Sequence, residues 1–145
     1  MTLTILKKEN IVLNAEVANK TEAIRLAGTI LVEQGYVDEV YIEKMFEREA
    51  LTSTYMGNFV AIPHGTEEAK QLVKQPGLSI VQVPNGVDFG EGNIVKLLIG
   101  IAGKENEHLE ILSKIAIVCS EEENVEKMIH ATEKEEILQL LNGVN

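Results

Sequence analysis

The chain has 145 residues, 45% of them hydrophobic, and 13 Lys and Arg against 23 Asp and Glu give a formal net charge of −10 at pH 7. That balance offers no basic stripe to neutralise phosphates, which excludes nucleic-acid binding, and it suits encounter with a basic partner surface. A chain of this length buries roughly 70% of its unfolded surface, so residues 1–145 read as one domain that needs no staple; the lone cysteine, Cys119, excludes an internal disulfide and fits a reducing cytoplasm.

Residues 11–13 are an apolar stretch able to pair in a sheet. The first helix is marked by Asn19 as N-cap with Glu22 three residues on. Ala23, Ile24, Ala27, Ile30 and Leu31 then recur at helical spacing, and Gly35 suits the stop. Asp38 is expected to cap a second helix with Ile42, Met45 and Phe46 on one side, ending near Arg48 and Glu49. Strand signals follow at 59–62, at 78–83 with the turn Pro84-Asn85-Gly86 behind it, and at 94–101. The segment 87–89 is a possible edge piece. The segment 94–101 is apolar almost throughout, as in a central strand covered on both faces.

The last third reads as helical. Asn106 is the expected cap of a helix with the stripe Leu109, Leu112, Ile115, Ala116 and Cys119. Ser120 with Glu123 and Thr132 with Glu135 are capping-box patterns for two more helices. The first buries Val125, Met128 and Ile129; the second carries Ile137, Leu138, Leu140 and Leu141 before Gly143. Helices before, between and after apolar strands imply an α/β fold, a mixed sheet with helices on both faces. Strand order is not legible. Residues 1–9 carry Lys7 and Lys8 but no apolar core, and the run 95–102 is too short for a bilayer, so neither a signal peptide nor a membrane span is expected.

The candidate chemistry centres on the run Gly57-Asn58-Phe59-Val60-Ala61-Ile62-Pro63-His64-Gly65-Thr66. Pro63 fixes its own φ and biases Ile62 to an extended conformation. Gly65 lets the chain turn tightly and a ligand approach. His64 is therefore expected at the rim of a sheet, rigidly held and exposed. A neutral imidazole with one nitrogen engaged can use the other as a nucleophile. His108, at the start of the helix after the third strand, sits where helix amides attract anions. Arg48 offers a planar fork to phosphate oxygens. The bland alternatives are a structural histidine, a helix-capping or surface His108, and an Arg48 paired with Glu47, Glu49 or its own helix terminus. His130 reads as a residue without a role. No spacing fits a metal site, a nucleotide loop or a nucleophile elbow.

The stretch from Phe46 through Glu47-Arg48-Glu49 to Pro63-His64-Gly65-Thr66 resembles the IIA components of the phosphoenolpyruvate-dependent sugar phosphotransferase system, in the mannitol/fructose family. So does 95–102 followed by Glu107-His108-Leu109. The mannitol branch is the most similar, through the Asn-Glu-His segment and the continuation Thr66-Glu67-Glu68-Ala69-Lys70. The resemblance implies a mixed sheet flanked by helices on both sides. It implies that His64 takes a phosphoryl group on Nε2 from the phosphocarrier HPr and passes it to a cysteine of a IIB component. It implies that Arg48 and His108 line the same site, with no metal, nucleotide or other cofactor. Many relatives are fused to IIB and membrane IIC domains, and this chain is expected to act as a stand-alone shuttle that meets the membrane only through IIC. Gly65 and Thr66 are further expected to offer backbone amides, and Thr66 its hydroxyl, to the phosphoryl oxygens. A fructose-specific IIA, or a nitrogen-related regulator using the same phosphohistidine, is the rival within the family. A module with an inert His64 is the rival outside it.

Overall fold

The computed structural model describes residues 5–141, with the backbone alone for 105–108. Five helices and five strands are named here: β1 (Ile11–Val12), α1 (Lys20–Glu33), α2 (Val40–Leu51), β2 (Tyr55–Gly57), β3 (Val60–Ala61), β4 (Gly77–Asp88), β5 (Ile94–Ala102), α3 (Glu105–Cys119), α4 (Glu122–Ile129) and α5 (Lys134–Leu140). The strands form one sheet in the order β1-β4-β5-β3-β2. β1 runs parallel to β4 and β3 parallel to β5; β4–β5 and β2–β3 are antiparallel. The sheet is mixed, as expected. Among the described residues no helix is long and apolar enough to cross a membrane.

Each face of the sheet carries its own core. Ala23, Ile24, Ala27, Ile30 and Leu31 of α1, with Met45 of α2, pack on Ala61, Val81, Leu98 and Ala102. Ile111, Ile115 and Cys119 of α3, with Val125, Met128 and Ile137, pack on the opposite face against Val60, Ile80, Leu97, Ile99 and Ile101. Alternation along β5 thus feeds both layers, and each fully buried Leu or Ile contributes about 1.5–3 kcal/mol. α1 approaches the sheet closely because Gly100 has no side chain: a Cβ there would lie 2.2 Å from Ser79 Oγ, which donates to the carbonyl of Ala27 at 2.8 Å.

The first helix follows its signals. Asn19 accepts from the Glu22 amide at 2.9 Å. At the other end Gly35 has φ +80°, the Gly35 amide reaches the Val32 carbonyl, and the Tyr36 amide reaches that of Leu31. This is the paired-bond stop that a left-handed residue permits.

Several local readings need correction. Asp38 does not cap α2 through its side chain; the carboxylate is 2.9 Å from Lys74, only its carbonyl serves the helix start, and α2 runs on to Leu51. Pro84-Asn85-Gly86 does not end a strand. β4 continues through it, with a register shift between Gln82 and Val87. β1 pairs only as far as Val81, so Pro84 lies where β4 has no neighbour on that side and its missing N–H costs no ladder bond. α3 begins at Glu105 behind Lys104, so Asn106 stands inside the first turn and is not its cap. The Ser120 hydroxyl turns back to the Ile117 carbonyl at 2.8 Å instead of capping α4. The capping box of the last helix is shifted by one residue, to Glu133 with Glu136. On α3 the buried stripe is Ile111, Ile115 and Cys119; Leu109 and Ala116 are exposed. Gly143, read as the final stop, lies outside the described residues.

Candidate functional site

β3 ends beside the C-terminal half of β5, and the chain stays alongside β5 for three residues more. The Ile101 amide donates to the Pro63 carbonyl at 2.9 Å, and His64 forms an isolated parallel bridge with Ile101. Proline removes the donor on its own side and fixes φ, so the segment can only accept from β5 there. Strand β3, Pro63 and β5 together fix the His64 backbone at the end of the sheet, where α/β folds gather their ligand sites.

His64 is held rigidly but is not exposed. It keeps 9% of its surface. It shares a cleft with Tyr41 of α2 and with Glu67 and Lys70 of the 3-10 helix Glu67–Leu72, which follows at once. The Nδ1 atom lies 2.7 Å from the Ile62 carbonyl oxygen. A carbonyl can only accept, so in the neutral ring Nδ1 carries the proton and the in-plane lone pair is on Nε2. Burial lowers the His64 pKa below the ordinary value of 6.5. The Ile62 bond opposes this, Arg48 lowers the value further, Glu49 raises it and Lys70 lowers it.

The sign of the linkage follows. The folded state holds the proton less tightly than the unfolded chain, so this contribution to stability is complete above about pH 6.5 and is lost progressively as pH falls from there through the lower folded-state pKa. We expect an NMR titration to place the His64 midpoint below 6.5, with the proton on Nδ1 at neutral pH. A midpoint above 6.5, or an Nε2–H tautomer, would contradict the geometry.

Arg48, in the last turn of α2, lines the cleft together with Tyr41, Leu51, His64, Gly65, Thr66, Glu67, Lys70 and Gly103. The cleft volume is about 220 Å³. Arg48 Nη1 donates to the Thr52 carbonyl at 2.6 Å, which turns the guanidinium back over the helix end. It does not pair with Glu49. That carboxylate is buried and accepts from the Thr54 amide at 3.0 Å, from the Thr54 hydroxyl, and from Lys20 Nζ at 3.2 Å. These bonds together outweigh its desolvation and hold its pKa below the usual range. Glu49 thereby fastens the end of α2, and Arg48 with it, to the segment leading into β2.

The expectation for Gly65 fails in one respect. Its amide is not available to an anion, because it donates to the Tyr41 hydroxyl at 2.9 Å. That hydroxyl in turn donates to the Ile101 carbonyl at 2.8 Å. Tyr41 is 3% exposed, and burial pushes its pKa up to about 12 although the Gly65 bond works against it, so it stays a neutral donor. The residue type at Gly65 is nonetheless required: an added Cβ would lie 2.7 Å from Tyr41 Cε1 and 3.0 Å from Ala69 Cβ. Thr66 starts the 3-10 helix, its carbonyl accepting from the Ala69 amide at 3.0 Å. His108 falls in the first turn of α3, just past Gly103, and its side chain lies outside the described residues. His130 is exposed, 3.2 Å from Glu126, and far in the chain from this cleft.

The sequence reading missed Tyr41 and Lys70. Tyr41 lies on the apolar side of α2 next to Ile42 and reads there as core. Lys70 enters the sequence reading only through the continuation Thr66-Glu67-Glu68-Ala69-Lys70, without a role of its own.

Comparison with known proteins sets the chain among phosphoryl carriers. The chain belongs to the family "Phosphoenolpyruvate-dependent sugar phosphotransferase system, EIIA 2", whose family model matches residues 4–144. Over 145 residues it is 77% identical to the mannitol-specific phosphotransferase enzyme IIA component of Geobacillus stearothermophilus, covering 100% of each chain. It is 59% identical over 143 residues to the Bacillus subtilis (strain 168) protein of the same description, covering 99% of this chain and 100% of that one. Among solved structures it is similar to the complex of enzyme IIAMTL and phosphorylated enzyme IIBMTL from Escherichia coli, at 44% identity and TM-score 0.90, covering 95% of this chain and 97% of that one.

Proposed function

We propose that this chain is the IIA step of mannitol uptake, a shuttle that receives a phosphoryl group on His64 Nε2 from HPr and delivers it to the cysteine of a mannitol-type IIB component in the cytoplasm. The observation that carries the reading is the 2.7 Å bond from His64 Nδ1 to the Ile62 carbonyl, in a cleft that Arg48 also lines. It orients the ring and directs the Nε2 lone pair to in-line attack on phosphorus. The Nε2–P bond forms as the donor's N–P bond breaks, and the bonding pair returns to the donor nitrogen. Passage to a thiolate repeats the exchange with Nε2 as the leaving nitrogen. Such a transfer needs positioning and charge stabilisation more than covalent help from the protein. The relatives' mannitol descriptions and the E. coli complex with phosphorylated IIB support the choice of sugar and of acceptor.

Arg48, His108 and Thr66 are assigned to the phosphoryl oxygens. The exposed Leu51, which lines the cleft, supplies an apolar contact for both partners, which exclude one another because both must reach Nε2. Purified protein incubated with enzyme I, HPr and phosphoenolpyruvate should take up one acid-labile phosphate and lose it to a mannitol-type IIB domain. Failure to load, or drainage only by a IIB of another sugar, would overturn the assignment. Arg48→Ala should slow loading on the order of a hundredfold, the usual effect of deleting one preorganised donor. Arg48→Lys should recover only part of the rate, since the fork is lost.

A further inference from the structure

We propose that Lys70 is a further phosphoryl-binding residue of this site: its ammonium exchanges the Glu67 carboxylate for the phosphoryl oxygens on His64. The inference rests on the reading of His64 as the phosphoryl acceptor and adds a residue to that site.

The placement is unusual for a lysine in a strongly acidic chain. Lys70 lies in the 3-10 helix that follows His64, and it lines the same cleft as His64 and Arg48. Its side chain keeps 20% of its surface, whereas that of its partner Glu67, 2.9 Å away, keeps 86%. Both members of the pair line the cleft, Lys70 the more buried and Glu67 the more exposed, so the ammonium already stands at the site where the phosphoryl group would arrive. An ion pair with one member so exposed contributes little, because water and salt replace the carboxylate at almost no cost. Losing Glu67 is thus an inexpensive step for Lys70.

The demand comes from the ligand. A phosphoryl group on Nε2 brings a charge of about −1.5 to −2 and three strong acceptor oxygens. The donors nearest at hand are partly committed: Arg48 Nη1 is engaged by Thr52, and the Gly65 amide by Tyr41. Lys70 carries three N–H donors on a flexible stem and loses only the Glu67 contact by turning to the phosphate. During transfer its charge meets the phosphoryl oxygens as they pass between two nitrogens.

The test compares wild-type protein with Lys70→Gln and Lys70→Arg, each loaded by enzyme I, HPr and phosphoenolpyruvate. Loading rate is followed by rapid quench, and the ionisation of the phosphohistidine by 31P NMR against pH. Lys70→Gln should load about ten- to a hundredfold more slowly, somewhat less than the loss of a fully preorganised donor because the ammonium must first leave Glu67. Its phosphoryl ionisation should move to higher pH, because the dianion has lost a cation. Lys70→Arg should restore most of both. A lysine that merely stabilises its own helical turn would lower the melting temperature of Lys70→Gln and leave the 31P titration where it was, and that result overturns the proposal. So does an unchanged loading rate. If wild-type protein itself takes no phosphate on His64, the underlying reading falls, and the proposal with it.

Discussion

His64→Asn should take up no acid-labile phosphate while keeping nearly the whole stability of the native chain. The geometry gives the reason. The asparagine amide nitrogen occupies a place like that of Nδ1 and can still donate to the Ile62 carbonyl, 2.7 Å from Nδ1 in the native chain. Nothing then stands where Nε2 stood, so the nucleophile is lost and the buried acceptor remains satisfied. His64→Ala should also be inert, but less stable. It removes a residue that keeps only 9% of its surface and leaves the Ile62 oxygen without this donor, a loss of about 1–3 kcal/mol. For a chain of this size each kcal/mol lowers the melting temperature by roughly 2–4 °C. Paired measurements of label uptake and thermal unfolding on both variants check this. Normal labelling of folded His64→Asn would place the phosphate on another residue.

Gly65→Ala is expected to damage stability and transfer together. The added methyl would sit 2.7 Å and 2.9 Å from two ring atoms of Tyr41 and 3.0 Å from the Ala69 methyl. Tyr41 cannot yield easily, because its hydroxyl is tied on one side to the Gly65 amide and on the other to the Ile101 carbonyl. Overpacking of this kind costs about 1–3 kcal/mol. Whichever element gives way, the turn after His64 shifts, and a displacement near 1 Å at a reacting group costs on the order of a hundredfold in rate. Thermal unfolding and quench-flow loading measure the two effects on one sample. A Gly65→Ala variant with native stability and native loading would show that the contact relaxes elsewhere and that Tyr41 does not set the position of His64.

Local chemistry explains which parts of the site were legible in the sequence. Pro63-His64-Gly65 announces itself because proline and glycine restrict or free the backbone wherever they stand. The first helix was legible for the same reason, through Asn19, a regular apolar stripe and Gly35. Tyr41 was not, since its function arises from a meeting of α2 with residues 24 and 60 positions further on. Nor was the commitment of the Gly65 amide, which depends on that tyrosine. His64 was read as exposed because the sequence does not reveal which later segment folds over it. Strand order escaped for a related reason: β1 pairs with β4 across Ile11 and Ile80, and the loops between them are too varied in length to suggest it. The capping errors at Asp38, Asn106 and Ser120 share one cause. Each lies within two residues of a helix end: the N-cap of α3 falls two residues before Asn106, and the side chains of Asp38 and Ser120 turn to Lys74 and to the Ile117 carbonyl instead.

Cys119 closes α3 with its side chain in the core between helix and sheet, and burial pushes its thiol up to about 11. On the proposed reading, in which the carrier repeatedly meets another protein's reactive cysteine, the encounter carries a chemical hazard of its own. Two accessible sulfurs at close quarters form a mixed disulfide under oxidative stress, and the reaction needs a thiolate on at least one side and access for both. Here the sulfur is protonated at any physiological pH and sealed beneath α3. The chain's own sulfur thus stays a bystander to any thiol chemistry at the proposed transfer. Oxidants that disable an acceptor cysteine should leave this protein able to load, and the pool of charged carrier should rise while its outlet is blocked.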